Sequence, residues 1–329
     1  MSGMQTLTDN WGLIGHEWAV DLLASRLATG RTGHAYLITG VPGTGRFTLA
    51  LRFTQAMNCQ SADWPFGVPC GHCRACTLIA RGVHPDVQVI RADGRSIKIE
   101  AIRDLQRDLT VSPIEGRYRV AIIEEMQTAT DQAADALLKT LEEPPAHVLF
   151  VLATTDPQKV PATILSRCQR MDFRRGTVSD LVSRLEVVVA GEGIKADPDA
   201  LALIARSADG SWRDALSILE QIIAFGERHI TADEVRSILG TVHEELLAEC
   251  ARAVAAEDAT AALRVVAQLA DEGKDIRDFL RGLLAHFRNL LLVGASGGAV
   301  LPDGATAEEA RLLKEQAAAI SPSTCLRAI

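Results

Sequence analysis

Gly40-Val-Pro-Gly-Thr-Gly-Arg-Phe-Thr48 follows the apolar run Ala35-Tyr-Leu-Ile-Thr39 and leads into a helical stretch that begins near Arg46. Strand, glycine-rich loop and helix in that order make a phosphate-binding loop, whose working pattern is Gly, four residues, then Gly-Lys-Ser/Thr. Gly40, Gly43 and Gly45 are all in place. The backbone can therefore form a nest of N–H groups at a helix N-terminus. The two side chains that carry the chemistry are replaced: Arg46 stands where the Lys belongs, and Phe47 where a hydroxyl would ligate Mg²⁺. Arg keeps the charge but is a broad planar fork, not a compact ammonium. Phe offers no metal-ligating atom. The stretch predicts a nucleotide-binding type of fold with a degenerate loop and no hydrolysis of its own.

Outward from this loop, apolar strands alternate with amphipathic helices over residues 10–175. Strands are expected at Ala35–Thr39, Val87–Ile90, Val120–Ile123 and Val148–Ala153, and helices at His16–Ala28, Phe47–Met57, Ile99–Leu109 and Asp131–Glu142. The first of these helices carries Ala19, Leu22, Leu23 and Leu27 on one stripe. Continuous apolar strands alternating with helices predict a parallel, doubly wound sheet covered on both faces. After Arg174-Arg175-Gly176 the strand signals stop. Residues 177–240 read as helices only: Val178–Gly191, Asp199–Ser207, Trp212–Phe225 and a short one capped by Thr231. A second boundary falls at Gly240-Thr-Val, and a third helical part follows with Glu244–Ala255, Asp258–Asp271, Asp275–Leu292 and about Thr306–Ala319. Asp258 is an expected N-cap, and Gly294-Ala-Ser-Gly-Gly-Ala an expected loop. The expected domains are 1–176 (α/β), 177–240 (helical) and 241–329 (helical).

Composition narrows the function. With 329 residues and 47% apolar content, the chain is long and apolar enough for two or three buried cores. A net charge of −8 argues against a basic, sequence-reading DNA binder. No run of about 18 apolar residues suggests a membrane span, and the N-terminal Met-Ser-Gly-Met-Gln-Thr-Leu-Thr-Asp does not read as a secretory signal. The seven cysteines form a cluster of four plus three scattered residues. That pattern fits reduced thiols with one metal site in the cytoplasm better than a disulfide framework.

Four further motifs carry chemistry. Arg119-Val-Ala-Ile-Ile-Glu-Glu-Met126 is an apolar strand ending in two acids. Such an end is where an ATPase holds Mg²⁺ and polarises water. Here Glu124 replaces the usual Asp, and Glu125 stands at the catalytic Glu position. Alone it would read as an ordinary strand end with solvated acids; the glycine loop upstream decides for the nucleotide fold. Cys59, Cys70, Cys73 and Cys76 have the spacing of a structural zinc knuckle with all four coordination positions filled. Buried free thiols and a redox dithiol are the alternatives. Arg167, in Ser166-Arg167-Cys168, is either a surface ion-pair partner or, in a ring of such folds, an arginine finger aimed at a neighbour's phosphates. Arg213, in Gly210-Ser-Trp-Arg213-Asp-Ala-Leu216, is either an exposed residue at a helix start or a lid arginine that reaches a bound phosphate.

On these residues the chain resembles the bacterial clamp-loader AAA+ family of DNA replication. The matching stretch runs from Leu137-Leu-Lys-Thr-Leu-Glu-Glu-Pro-Pro-Ala-His to Ser166-Arg-Cys168. Gly33-His-Ala-Tyr-Leu-Ile-Thr-Gly40, the cysteine knuckle and His84-Pro-Asp86 match as well. Residues 10–240 are covered closely and the rest by helical character. Within the family, Arg46, Phe47, the His-Pro-Asp segment and the length resemble the delta-prime branch of DNA polymerase III. Gly210–Leu216 and Thr154–Val160 resemble the ATP-hydrolysing gamma/tau branch, which is the runner-up. The tau extension is not present, and the third domain reads as shorter than the family's, ending at Cys325-Leu-Arg-Ala-Ile329 as in a truncated gene.

The resemblance implies an AAA+ domain, a lid and a collar domain. It implies a hetero-pentameric ring with gamma/tau and delta subunits that opens the sliding clamp and places it on primed DNA. The chain would be its non-hydrolysing member, a pseudo-ATPase with structural zinc, supplying Arg167 in trans to the adjacent gamma/tau site. An ATP-hydrolysing enzyme with an unusual loop and a zinc-dependent nucleic-acid module are the competing classes.

Overall fold

The computed structural model describes residues 10–61, 67–225, 229–239, 242–271, 276–302, 305 and 307–329. The expected boundary at Gly240-Thr241, the helix starts at Asp275 and Thr306, and the N-terminal nine residues lie outside the described residues.

The chain divides into two compact units, residues 1–194 with 207–220, and residues 195–206 with 221–329. The first contains α1 (Glu17–Ala28), β1 (Ala35–Thr39), α2 (Arg46–Asn58), α3 (Arg74–Ala80), β2 (Val87–Ile90), α4 (Ile99–Leu109), β3 (Arg119–Ile123), α5 (Asp131–Glu142), β4 (Val148–Thr154), α6 (Ala162–Leu165), β5 (Gln169–Asp172) and α7 (Val178–Glu192). Its sheet has five strands in the order β2-β3-β4-β1-β5. Every pairing is parallel, with Ala35 beside Phe150, Val87 beside Val120, Arg119 beside Val148 and Tyr36 beside Gln169.

The inner strands β1, β3 and β4 are mainly apolar because helices cover both faces. All residues of β1, β3 and β4 are buried. Alternate side chains serve opposite cores. Tyr36, Ile38, Val120, Ile122 and Val151 pack with Leu23, Leu49, Phe53 and Met57 of α1 and α2. Ala35, Leu37, Ala121, Ile123, Phe150 and Leu152 pack with Ile102, Leu105, Leu137 and Leu141 of α4 and α5. Side-chain caps set the starts of α5 and α7: Thr130 Oγ1 accepts the Ala133 N–H, and Thr177 with Asp180 forms a capping box.

Among the strands, two features depart from the sequence expectation. The edge strand β5 buries only Met171, so it has no apolar run to announce it. Residues after 176 are not purely helical either, because β6 (Lys195–Ala196) and β7 (His229–Ile230) pair parallel in the second unit. Two-residue strands are too short to leave a periodic signal.

The remaining helices are α8 (Pro198–Ser207), α9 (Trp212–Phe225), α10 (Ala232–Leu239), α11 (Val242–Ala255), α12 (Ala259–Asp271), α13 (Ile276–Ala295), α14 (Ala307–Ala319) and α15 (Pro322–Ala328). Thr231 caps α10, and Asp258 Oδ1 accepts the Thr260 and Ala261 N–H groups at 3.0 Å, as expected of both residues. Helix α13 runs through Gly294 to Ala295, two residues into the expected loop. In the second unit Leu246, Cys250, Val265, Leu269 and Phe279 form one core cluster, and Phe287, Leu290, Ile320 and Cys325 belong to another.

Candidate functional site: a self-paired phosphate loop, a cysteine knuckle and an exposed arginine

The loop between β1 and α2 has its glycines where the backbone demands them. Gly40, Gly43 and Gly45 have φ of 152°, 77° and 87°, a region that side chains with a Cβ rarely adopt. A Cβ on Gly43 would also overlap the Ser211 hydroxyl. The loop is closely covered there: the backbone N–H groups of Trp212 and Arg213 point at the Gly43 carbonyl, at 3.0 and 3.4 Å. The Arg213 side chain is exposed.

Arg46 is the first residue of α2 and is only 9% exposed. Its Nη2 lies 3.3 Å from Oε1 of Glu125. Burial lowers the Arg46 pKa from its ordinary value, and the Glu125 carboxylate opposes that shift. Nη1 has no hydrogen-bond partner among the described residues. Phe47, where a metal-binding hydroxyl would sit, is covered by the Arg91 guanidinium at 5.1 Å from the ring centre. Arg91 in turn pairs with Glu124 at 2.7 Å. Both acids at the end of β3 are therefore bound by cations of the same chain.

The sequence motifs single out Arg46, Phe47, Glu124 and Glu125 but not Arg91, Gln127 or Thr155, which pack around them. Arg91 follows β2 as Glu124 follows β3, and the register Ile90 to Ile123 sets the two side by side. That shared position is the signal from which Arg91 could have been found. Gln127 and Thr155 carry no such signal. Gln127 Nε2 donates to Thr155 Oγ1 at 2.7 Å, and Thr155 Oγ1 donates to Glu125 Oε2 at 3.3 Å. Glu125 itself has a φ of 53°. A non-glycine residue in that conformation is held by its surroundings.

His16 stacks on Phe173 at 3.8 Å and lies 5.2 Å from Trp212. Burial lowers its pKa. Neither ring nitrogen has a hydrogen-bond partner among the described residues.

Away from the loop, Cys59, Cys70, Cys73 and Cys76 place their sulfurs within 4.8 Å of one another. Cys73 N–H points at Cys70 Sγ (3.3 Å) and Cys76 N–H at Cys73 Sγ (3.4 Å). Burial alone would raise the Cys73 thiol. The Cys76 N–H, with the Gln60 backbone and neighbouring thiols, instead brings it down to about 7. Burial pushes Cys70 and Cys76 up. Four converging thiols are the donor set of a closed tetrahedral zinc site, and the backbone N–H···S contacts are the outer support that such ligands use. The knuckle also contains α3, which its cysteine spacing conceals.

Arg167 lies at the far end of the α/β unit and is partly exposed. Nη2 donates to Glu142 Oε1 at 2.6 Å and Nη1 to the Thr163 carbonyl at 2.7 Å. The structure does not bring Arg167 to this chain's own phosphate loop among its hydrogen bonds and ion pairs.

Three family models match in succession: DNA polymerase III, delta subunit, over residues 15–177; DNA polymerase III clamp loader subunit, ATPase lid domain, over 180–228; and DNA polymerase III subunits gamma and tau domain III, over 230–328. The chain belongs to the bacterial clamp-loader AAA+ family. DNA polymerase III subunit tau of Bacillus subtilis is 36% identical over 306 residues, which is 92% of this chain and 54% of that protein. The Escherichia coli subunit tau is 35% identical over 319 residues, 97% of this chain and 48% of that protein. This clamp-loader family member thus spans about half the length of the curated relatives it matches. Among solved structures, the Thermotoga maritima RuvB Holliday junction branch migration motor has a TM-score of 0.52 at 17% identity, covering 80% of this chain and 83% of that one. That likeness shows the AAA+ fold alone. Among the described residues no helix is long and apolar enough to cross a membrane.

Proposed function

We propose that this chain is a delta-prime-type subunit of the DNA polymerase III clamp loader, a cytoplasmic pseudo-ATPase that works through its partners. It assembles with gamma/tau and delta subunits in a hetero-pentameric ring that loads the sliding clamp on primed DNA. The observation that carries the non-hydrolysing part is the pairing of Arg46 with Glu125. A hydrolysing site needs a free acid to polarise water, a compact cation on the phosphates and a hydroxyl on Mg²⁺. Here the acid is bound to the residue that replaces that cation, and Phe47 replaces the hydroxyl. Removing such groups costs several kcal/mol of transition-state stabilisation each, on the order of 3.

In this reading Cys59, Cys70, Cys73 and Cys76 hold one structural zinc ion, which would contribute folding energy and no chemistry. Arg167 supplies positive charge to the nucleotide of an adjacent gamma/tau subunit. The domains are the α/β part to 176, the lid over 177–240 and the collar over 241–329. Arg213 would sit on the lid facing the degenerate loop.

The second reading is an active gamma/tau-type subunit. It is favoured by the names of the curated relatives and by the gamma and tau model over 230–328. One assay separates the two: steady-state ATP hydrolysis by the isolated chain with and without Mg²⁺. Turnover at background supports the pseudo-ATPase. Robust Mg²⁺-dependent turnover refutes it and establishes the second reading.

A further inference from the structure

Arg167 has a partner within its own chain, Glu142, and that partner stands at a helix C-terminus, where a lone carboxylate is disfavoured. Glu142 is the last residue of α5. A carboxylate there faces the negative end of the helix dipole, where a cation is preferred. The Arg167 guanidinium supplies that cation at 2.6 Å, and its second terminal nitrogen is held by the Thr163 carbonyl at 2.7 Å. Both terminal nitrogens, the pair that would fork onto a phosphate, are committed to this chain. The pair is also loosely held: the Arg167 and Glu142 side chains are 33% and 50% exposed.

We propose that Glu142 is a latch for Arg167. It holds the guanidinium on this chain's own surface until the triphosphate of a nucleotide bound by a neighbouring subunit displaces it. The inference rests on the trans-acting role of Arg167 given above. A polyphosphate carries several negative charges and bidentate oxygens, so it competes well against one exposed carboxylate. The latch therefore tunes engagement without preventing it. Its weight is that of an exposed ion pair, about two- to fivefold in apparent affinity. The pair is broken both when nucleotide is bound and in the transition state, so its cost belongs to KM and not to kcat.

The test uses the ring reconstituted from this chain with its gamma/tau and delta partners, sliding clamp and primed DNA. ATP hydrolysis is measured for wild type, Glu142→Gln, Arg167→Ala and the double variant, with thermal melting as the folding control. Expected for Glu142→Gln is a KM lower by about two- to fivefold with kcat unchanged, and no effect of the substitution in the Arg167→Ala background. A second readout uses the isolated chain. The NMR signal of the Arg167 Nε–H should respond to inorganic tripolyphosphate at lower concentration in Glu142→Gln than in wild type. If Arg167→Ala impairs the ring and Glu142→Gln leaves KM unchanged or lowers kcat, the latch is overturned and the trans role stands. If Arg167→Ala hydrolyses at the wild-type rate, both are overturned together.

Discussion

Replacing Asp86 by Ala should be among the most damaging single changes outside the hydrophobic core. Asp86 lies on the turn before β2, and its side chain is fully buried at 0% exposure. Its carboxylate accepts the backbone N–H groups of Ile114, Glu115 and Gly116, each at 2.7 Å. Arg119 Nε lies 3.9 Å from the same carboxylate. The loop gathered in this way is also fastened to the cysteine knuckle. Glu115 pairs with Arg74 of α3 at 3.1 Å, its carbonyl accepts from Gln60 at 2.8 Å, and Asn58 Oδ1 accepts the Arg117 N–H at 2.9 Å. Asp86→Ala leaves three N–H groups without their acceptor and one buried cation without its counter-charge. Each unpaired N–H costs about 1–3 kcal/mol, and water reaching this surface loop keeps the values near the lower end. The total expected is about 3–5 kcal/mol. Asp86→Asn keeps one acceptor oxygen and loses the charge, so about 1.5–3 kcal/mol is expected.

The pH dependence has a defined sign. Burial alone would raise the Asp86 pKa; the three N–H donors and Arg119 outweigh it and hold the carboxyl below its ordinary range. A folded-state pKa below the unfolded value contributes stability that is complete above the unfolded value, about 3.9, and is lost as pH falls through the folded one. Wild type should therefore lose stability on acidification below about pH 4, and Asp86→Asn should lack that contribution. Urea unfolding reports the total, and hydrogen exchange at the amides of Ile114, Glu115 and Gly116 reports the loop. An Asp86→Ala chain within about 0.5 kcal/mol of wild type, with those amides still protected, would refute the reasoning.

Elemental analysis should find one zinc per chain. Cys73→Ala or chelation should remove it and lower the melting temperature; a metal-free chain that melts as before counts against the site. Residual nucleotide binding would rest on loop N–H groups and Arg46, so calorimetric affinity for ATP should be the same with Mg²⁺ and with EDTA. A strong Mg²⁺ requirement would show that Phe47 does not abolish metal coordination. In the reconstituted ring, Arg167→Ala should assemble normally and reduce clamp-stimulated hydrolysis by less than the factor of about 10³ known for single-site fingers, because one site of several is affected. Arg167→Lys should rescue poorly, since an ammonium does not replace a planar bidentate donor. Wild-type rates in both variants would make Arg167 an ordinary surface residue.

Most of the α/β unit is legible in the sequence because its signals are local. Apolar runs mark β1, β3 and β4, and Val87-Gln-Val-Ile90 marks β2; the helices expected at Ile99–Leu109 and Asp131–Glu142 match the observed bounds. The glycines of the loop and the substitutions at Arg46 and Phe47 are equally plain, since a motif is read from adjacent residues. What escapes is set by contacts instead of composition. Strand β5 has a single buried residue, Met171, and owes its place to pairing with β1. Helix α3 is enclosed by a cysteine cluster that reads as a loop. The partners of the site residues are distant in sequence: Glu125 lies 79 residues from Arg46, Glu124 lies 33 from Arg91, and Glu142 lies 25 from Arg167. For Arg46, Arg91, Glu124 and Glu125, which cation neutralises which acid depends on strands aligning their C-terminal ends side by side, and only the assembled parallel sheet does that. Neighbouring residues along the chain are thus enough to show that the loop has lost its chemistry. That the remaining charges satisfy one another follows from the packing of the sheet, because their partners meet only there.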